Sequence, residues 1–148
     1  MIREATHDDV VHLVRLSEMM HAESPRYSRL TFSPEKMAAM LHNLIDSPNG
    51  FVRVLELDGR IAGLMVAMVA EHWMSTDMVA VDFGVYVTHG VRGVGAGAVE
   101  MVARYRQWAK ERGAVWPQIG VSAGVCDEAA ERMYERAGAR RVGSIWEL

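Results

Sequence analysis

The residues best suited to do chemistry lie together two thirds of the way along a chain of 148 residues. Val91-Arg92-Gly93-Val94-Gly95-Ala96-Gly97 follows a run rich in Val, Phe and Tyr and precedes an amphipathic segment. Strand, glycine-rich turn and helix bring several backbone N–H groups and the positive end of a helix dipole to one point. Such a point binds phosphate. Glycines at 93, 95 and 97 remove the Cβ atoms that would hold an anion off the amides, and Arg92 adds a formal positive charge. A turn that serves only close helix–sheet packing would use glycine too, so the loop has to be read with its surroundings.

Gly93-x-Gly95-x-x-Ala98 fits the literal pattern of a dinucleotide fingerprint. That fingerprint needs an acidic residue about twenty positions on, at the end of the next strand, and here that strand reads AVWPQIGVSAG with no Asp or Glu. A phosphate loop for nucleotide hydrolysis fails as well, because no Gly-Lys-Ser or Gly-Lys-Thr follows the glycines. The one cysteine, Cys126, can form neither an internal disulfide nor a thiolate metal site, and the six histidines lack close ligand spacing. No metal is expected.

The elements that must position the loop follow from periodicity. Ile2 to Ala5 reads as a short strand, and Thr6 with Asp9 three residues on caps a helix to about His21. Ser33-Pro34-Glu35 starts a second helix bearing Met37, Met40, Leu41 and Leu44. Phe51 to Leu57, the two-residue turn Asp58-Gly59, the apolar run from Ile61 to Ala70 and the stretch Met78 to Val87 form an antiparallel meander. A helix with Ala98, Met101, Val102, Tyr105 and Trp108 on one face ends at Gly113. Val115 to Val121 reads as another strand, Asp127 as the cap of a last helix closed by Gly138, and Val142 to Leu148 as a final strand. The order is βααβββαβαβ, a single α/β domain over residues 1–148. Its sheet is mixed and mostly antiparallel, with about six strands flanked by about four helices.

Composition bounds the partners. Sixteen Lys and Arg against nineteen Asp and Glu leave a net charge of −3, and with a pI near 6.1 no global positive field favours nucleic acid. Half the residues are hydrophobic and 24% are charged, the balance of a folded globular domain. The opening MIREATHDDV has three acidic groups where an export signal needs a basic start, and the run from Ile61 to Ala70 is too short to span a bilayer. A cytoplasmic protein without a membrane partner is expected.

The segment from Val85 through Gly97 resembles the acyl-CoA-binding motif of the GNAT superfamily of N-acetyltransferases, whose core Arg/Gln-x-x-Gly-x-Gly/Ala is matched by Arg92, Gly95 and Gly97. A second signature, Ala130, Tyr134 and Gly138, stands at the family's expected separation. The resemblance covers nearly the whole chain. It implies acetyl-CoA as co-substrate, an amine acceptor and a sheet that splays open at the CoA site. The pantetheine arm would pair with backbone groups of Val85, Tyr86 and Val87, and the pyrophosphate would rest on the amides of Arg92, Gly93, Val94, Gly95, Ala96, Gly97 and Ala98. Asp127 stands where the family often has Asn near the pantetheine. Ending ten residues after Gly138, the chain has room for one closing strand, so one wall of the acceptor pocket is missing or comes from a second subunit as a homodimer.

Acyl transfer to an amine needs a neutral amine, a donor for the oxyanion and a proton for the leaving thiolate. By resemblance a backbone N–H near Val85 serves the oxyanion and Tyr134 is the acid; the plain alternative is a packed helix tyrosine. The positions where the family often has a basic Glu are Val81 and Phe83 here, and neither accepts a proton. Asp82 lies between them and would face the other way by strict alternation, unless a bulge at Gly84 reverses the parity. Glu71, His72, His89 and water are the other candidates for the base. His21, Glu23, Ser24 and Tyr27 fall in the stretch that lines the acceptor side in the family. The alternative to an enzyme is an acyl-CoA-binding regulatory module; the missing Glu favours it and Tyr134 opposes it.

Overall fold

The structure, a computed structural model, describes residues 1–93 and 96–148. Four strands, β1 (Ile2–Glu4), β2 (Gly50–Leu57), β3 (Arg60–Glu71) and β4 (Met78–Val87), form one antiparallel sheet in chain order. Four helices flank it: α1 (Val10–Glu23), α2 (Pro34–Asp46), α3 (Gly97–Glu111) and α4 (Asp127–Arg136). The meander is held by its turns. Asp58 and Gly59 take φ of 50° and 72°, the two positive values that match a two-residue turn to the twist of its strands.

Both faces of the sheet are covered, which is why Ile61 to Ala70 is apolar without alternation. On one face Phe51, Met65, Ala67, Val69 and Ala80 pack against Met101, Tyr105 and Trp108 of α3. On the other, Val52, Val54, Leu64, Val66 and Tyr86 pack against Leu13 and Leu16 of α1 and Leu41 of α2. Each buried Val, Leu, Phe or Met among them contributes about 1.5–3 kcal/mol by leaving water. Gly97 belongs to this packing, since a Cβ there would come within 2.9 Å of the Leu55 side chain. For that glycine, close helix–sheet contact is sufficient reason.

Helix ends follow local chemistry. Asp9 takes the N–H of Thr6 at 2.7 Å in a capping box ahead of α1, which runs two residues past His21. Ser33 accepts from the Lys36 N–H with Pro34 at the first position of α2. Asp127 is not the cap of α4, as its sequence suggested; it is the first helical residue, and Cys126 caps with φ of 53°.

Among the described residues two expected strands are absent, so the sheet has four strands and not about six. Val115 to Val121 is reduced to a parallel bridge between Ala80 and Pro117, with Val115 donating to Met78, Ala80 to Trp116 and Gln118 back to Ala80. The next rung would take the Gly120 N–H to the Asp82 backbone carbonyl, and that N–H is bonded by the Asp82 side chain instead. Val142 to Leu148 makes no strand pairing among the described residues, and Val142, Ile145 and Trp146 are exposed. Alternation marks a segment able to form a strand; a partner edge decides whether it does.

Candidate active site

The site begins with one extra residue in β4. Ala67 lies opposite Asp82 and Val66 opposite Gly84, so Phe83 is a bulge and the strand's parity changes there. Before it, Ala80 turns its backbone groups to the 115–118 segment. After it, the Thr88 N–H donates to Ala62 of β3, and alternation from Thr88 directs the backbone of Tyr86 to β3 and those of Val85 and Val87 to the opposite edge. Tyr86, grouped from sequence with Val85 and Val87, is oriented differently from them. Its peptide groups serve the sheet, and its side chain lies on the α1 face. The same bulge puts Asp82 on the side of Ala80, Val85 and Val87, toward α3.

Pairing with the 115–121 segment stops at Asp82. One residue pair beyond the Ala80–Gln118 bond, the Gly120 N–H is taken at 3.0 Å by the carboxylate of Asp82. The two stretches separate from there, leaving the outward peptide groups of Val85 and Val87 without a neighbouring strand. On the other side of the same residue, the Tyr134 hydroxyl of α4 donates to the Gly120 carbonyl at 3.2 Å. Gly120 was not singled out by the sequence reading, because nothing in its type marks a residue whose two backbone groups are both held by side chains.

Burial raises both side-chain groups that hold Gly120. It pushes the Asp82 carboxyl up to about 6, against the bonds from the Gly120 N–H and its own N–H. It also raises the Tyr134 hydroxyl, with the charges of Asp82 and Tyr27 acting in the same direction. Tyr105, whose hydroxyl donates to Gln118 O at 2.8 Å, is raised for the same first reason. The apex thus holds a carboxylate that changes state near neutral pH and a phenol that keeps its proton there.

The loop between α1 and α2 closes the apex. Ser24 donates to the Ala123 carbonyl, Tyr27 bonds Ser122 Oγ at 2.8 Å, and Pro25 lies against Gly124. Glu23 accepts from the Tyr86 hydroxyl at 2.6 Å and from Arg92 Nη2 at 2.5 Å. Tyr86 holds that carboxylate below its ordinary value, and burial raises the Tyr86 hydroxyl to about 12. Of the four loop residues considered from sequence, His21 stays apart from this cluster and bonds the Leu30 carbonyl.

The glycine loop is described in part. Arg92 also donates through Nε to the Val87 carbonyl at 2.8 Å, and its guanidinium lies 5.2 Å from the centroid of the Tyr86 ring. Gly93 takes φ of 75° in the turn. Val94 and Gly95 lie outside the described residues. Ala96 caps α3, so the N–H groups of Gly97 and Ala98 stand in the first turn of the helix, where no intrahelical acceptor exists. Asp127 is exposed in the first turn of α4.

The sequence profile of the acetyltransferase (GNAT) family matches residues 16–139. The chain belongs to that family. It is an enzyme of the acetyltransferase class, and acetyl-CoA is the co-substrate the family uses. No curated protein matches it in sequence. Among solved structures it is similar to AAC(6')-Iy in complex with a CoA-S-monomethyl-acetylneamine bisubstrate analogue. There the TM-score is 0.80 at 14% identity, over 100% of this chain and 95% of that one. It is also similar to a transcriptional regulator from Bacillus halodurans C-125, at a TM-score of 0.77 and 22% identity over 100% and 97% of the two chains. A third, the aminoglycoside acetyltransferase meta-AAC0020 from an uncultured soil metagenomic sample in complex with sisomicin, gives 0.71 and 17% over 100% and 95%. At these identities the likeness is one of fold. Among the described residues of this GNAT domain no helix is long and apolar enough to cross a membrane, and no group of three or more His, Cys, Asp or Glu is arranged to hold a metal ion.

Proposed function

We propose that this chain moves the acetyl group of acetyl-CoA to a primary amine by direct transfer. The observation that carries the reading is Gly120, whose N–H is held by the Asp82 carboxylate and whose carbonyl is held by the Tyr134 hydroxyl, at the point where β4 loses its neighbour. The outward N–H and C=O groups of Val85 and the outward N–H of Val87 fit an extended arm bearing amides, since such an arm can pair with a strand edge, while the Val87 carbonyl is taken by Arg92. The first-turn amides of Gly97 and Ala98 fit a pyrophosphate, joined by Arg92 and Gly93. In that role Arg92 is already steered by Glu23.

When bound, acetyl-CoA supplies a thioester as the acyl donor. The chain's own residues then have three tasks. The Val85 N–H, on the free edge, donates to the acyl oxygen as negative charge develops there. Asp82 accepts a proton from the incoming ammonium, directly or through one water, and its carboxyl near pH 6 is suited to release it again. Tyr134 keeps its hydroxyl protonated at neutral pH and gives that proton to the departing sulfur. Cys126 takes no nucleophilic part; it is exposed at the start of α4.

The test is release of free thiol from acetyl-CoA across a panel of amines and peptides, for wild type and Tyr134→Phe. The substitution removes one hydroxyl and its bond to Gly120, and it should lower turnover roughly tenfold to a thousandfold with CoA affinity nearly unchanged. Equal turnover in the two proteins would remove Tyr134 from the mechanism. CoA binding without thiol release from any amine would remove the reaction itself.

A further inference from the structure

The acceptor loop carries two guanidinium groups that meet on a carboxylate supplied by the chain itself. Arg26 and Arg29 follow Ser24 on the loop tied to residues 122–124, and between Ser24 and Phe32 there is no acidic residue. Arg29 Nη1 contacts one carboxylate oxygen of Glu147, and Arg26 Nε stands 3.4 Å from the other. Arg26 is itself oriented, 5.9 Å over the Tyr27 ring and within 3.4 Å of the Ser122 carbonyl. Tyr27 in turn lies close enough to Tyr134 for its charge to act on it. The fork is therefore tied through Ser122 to the stretch that also carries Gly120 and its bond from Tyr134.

Glu147 comes from the segment after α4, which forms no strand and leaves Val142, Ile145, Trp146 and Leu148 exposed. The segment is not docked by its apolar side chains; its ties to the acceptor loop are the contacts of Glu147. An exposed ion pair of this kind contributes at most about 1 kcal/mol, so a ligand can displace it. Two guanidiniums from a structured loop around one weakly held carboxylate are a carboxylate site with a replaceable occupant.

Resting on the acetyl-transfer reading, we propose that the acceptor is an amine that also bears a carboxylate, that Arg26 and Arg29 hold this carboxylate, and that Glu147 competes for the same place. This separates the chain from an enzyme for polycationic acceptors, whose ammonium groups the two arginines would repel.

Matched acceptors test it: lysine, lysinamide and cadaverine, which share an amine-bearing chain and differ in the carboxylate. Lysine should be preferred over both by roughly tenfold to a hundredfold in kcat/KM, the scale of a charge-assisted pair. Arg29→Ala should collapse that ratio, Arg29→Lys should retain part of it, and Glu147→Gln should lower KM for lysine. A readout without turnover accompanies these. In the CoA-bound protein, lysine should give saturable shifts of the Arg26 and Arg29 side-chain N–H resonances, and cadaverine should not.

Equal kcat/KM for the three acceptors, or a ratio untouched by Arg29→Ala, would overturn the proposal. Absence of thiol release with every acceptor would overturn the transfer reading, and the resonance titration would then decide the carboxylate site on its own. Shifts with lysine alone would uphold the site, and no shift would end it.

Discussion

Two aspartates are withdrawn from solvent at different ends of the sheet, and their surroundings treat them in opposite ways. Asp9, at the entry to α1, meets Arg3 of β1 through two bonds of 2.7 and 2.9 Å and takes the Thr6 N–H as well. Arg3 holds its carboxyl down at about 2. Asp82, at the bulge of β4, has backbone N–H partners and no cation, and burial raises it to about 6. A carboxylate fully matched by charge stabilises the fold. One left with dipoles alone costs stability and keeps a proton within reach of neutral pH, which is the condition a general base needs.

The comparison is broken most directly at Asp82. Its folded value lies above the unfolded 3.8, so the unfolded chain releases its proton first and stability falls as pH rises from 3.8 to about 6. The ceiling on that fall is about 3 kcal/mol at 1.36 kcal/mol per pH unit. Asp82→Asn keeps an oxygen for the Gly120 N–H and removes the charge. Above pH 6 it should melt higher than wild type while acetyl transfer drops roughly a hundredfold and loses its rise through pH 6. Melting curves and turnover across pH 4–8 check both. Lower stability with wild-type turnover would return Asp82 to a purely structural role.

Asp9 should give the reverse sign. Its folded value lies below the unfolded one, so its contribution is complete above pH 3.8 and is lost as pH falls through about 2. Asp9→Asn should cost on the order of 2 kcal/mol at neutral pH, with turnover at a saturating acceptor concentration unchanged. Chemical denaturation at pH 7 measures it. Wild type should then be most stable near pH 4, as far as these two groups are concerned.

The same contrast explains what could be read from sequence. Asp9 and its capping partner Thr6 sit three residues apart, and the hairpin at Asp58-Gly59, the first-turn Pro34 and the stop at Gly113 are likewise local signals. They were legible because neighbours in sequence make the bonds. Asp82 was visible as an acid among Val and Phe, and Gly84 as a place for a bulge, but the choice of face needed the register with β3. Gly120 and the fork of Arg26 and Arg29 depend on contacts between residues 38 and more than 100 positions apart. The strands at 115–121 and 142–148 were overread for the same reason: alternation is a property of a segment, and pairing is a property of two.

The finest test concerns the stretch just past Asp82, where β4 has lost its neighbour. If the outward N–H of Val85 serves the co-substrate and not the sheet, removing it should hardly affect folding. Val85→Pro deletes that donor at an open edge, where proline is tolerated, so the loss of stability should stay within about 1 kcal/mol. Val85→Ala keeps the N–H and gives up part of the packing against the α3 face, for a similar small loss. The two variants should therefore melt alike and differ in acetyl-CoA affinity, measured by calorimetry. Proline should weaken binding about tenfold, as expected for one well-made backbone bond, and alanine should leave it near wild type. Equal affinities in the two variants would mean that the free edge of β4 does not hold the pantetheine arm. A large loss of stability in the proline variant alone would mean that the Val85 N–H is a partner within the fold, and that the parity set by the Phe83 bulge has been drawn the wrong way round.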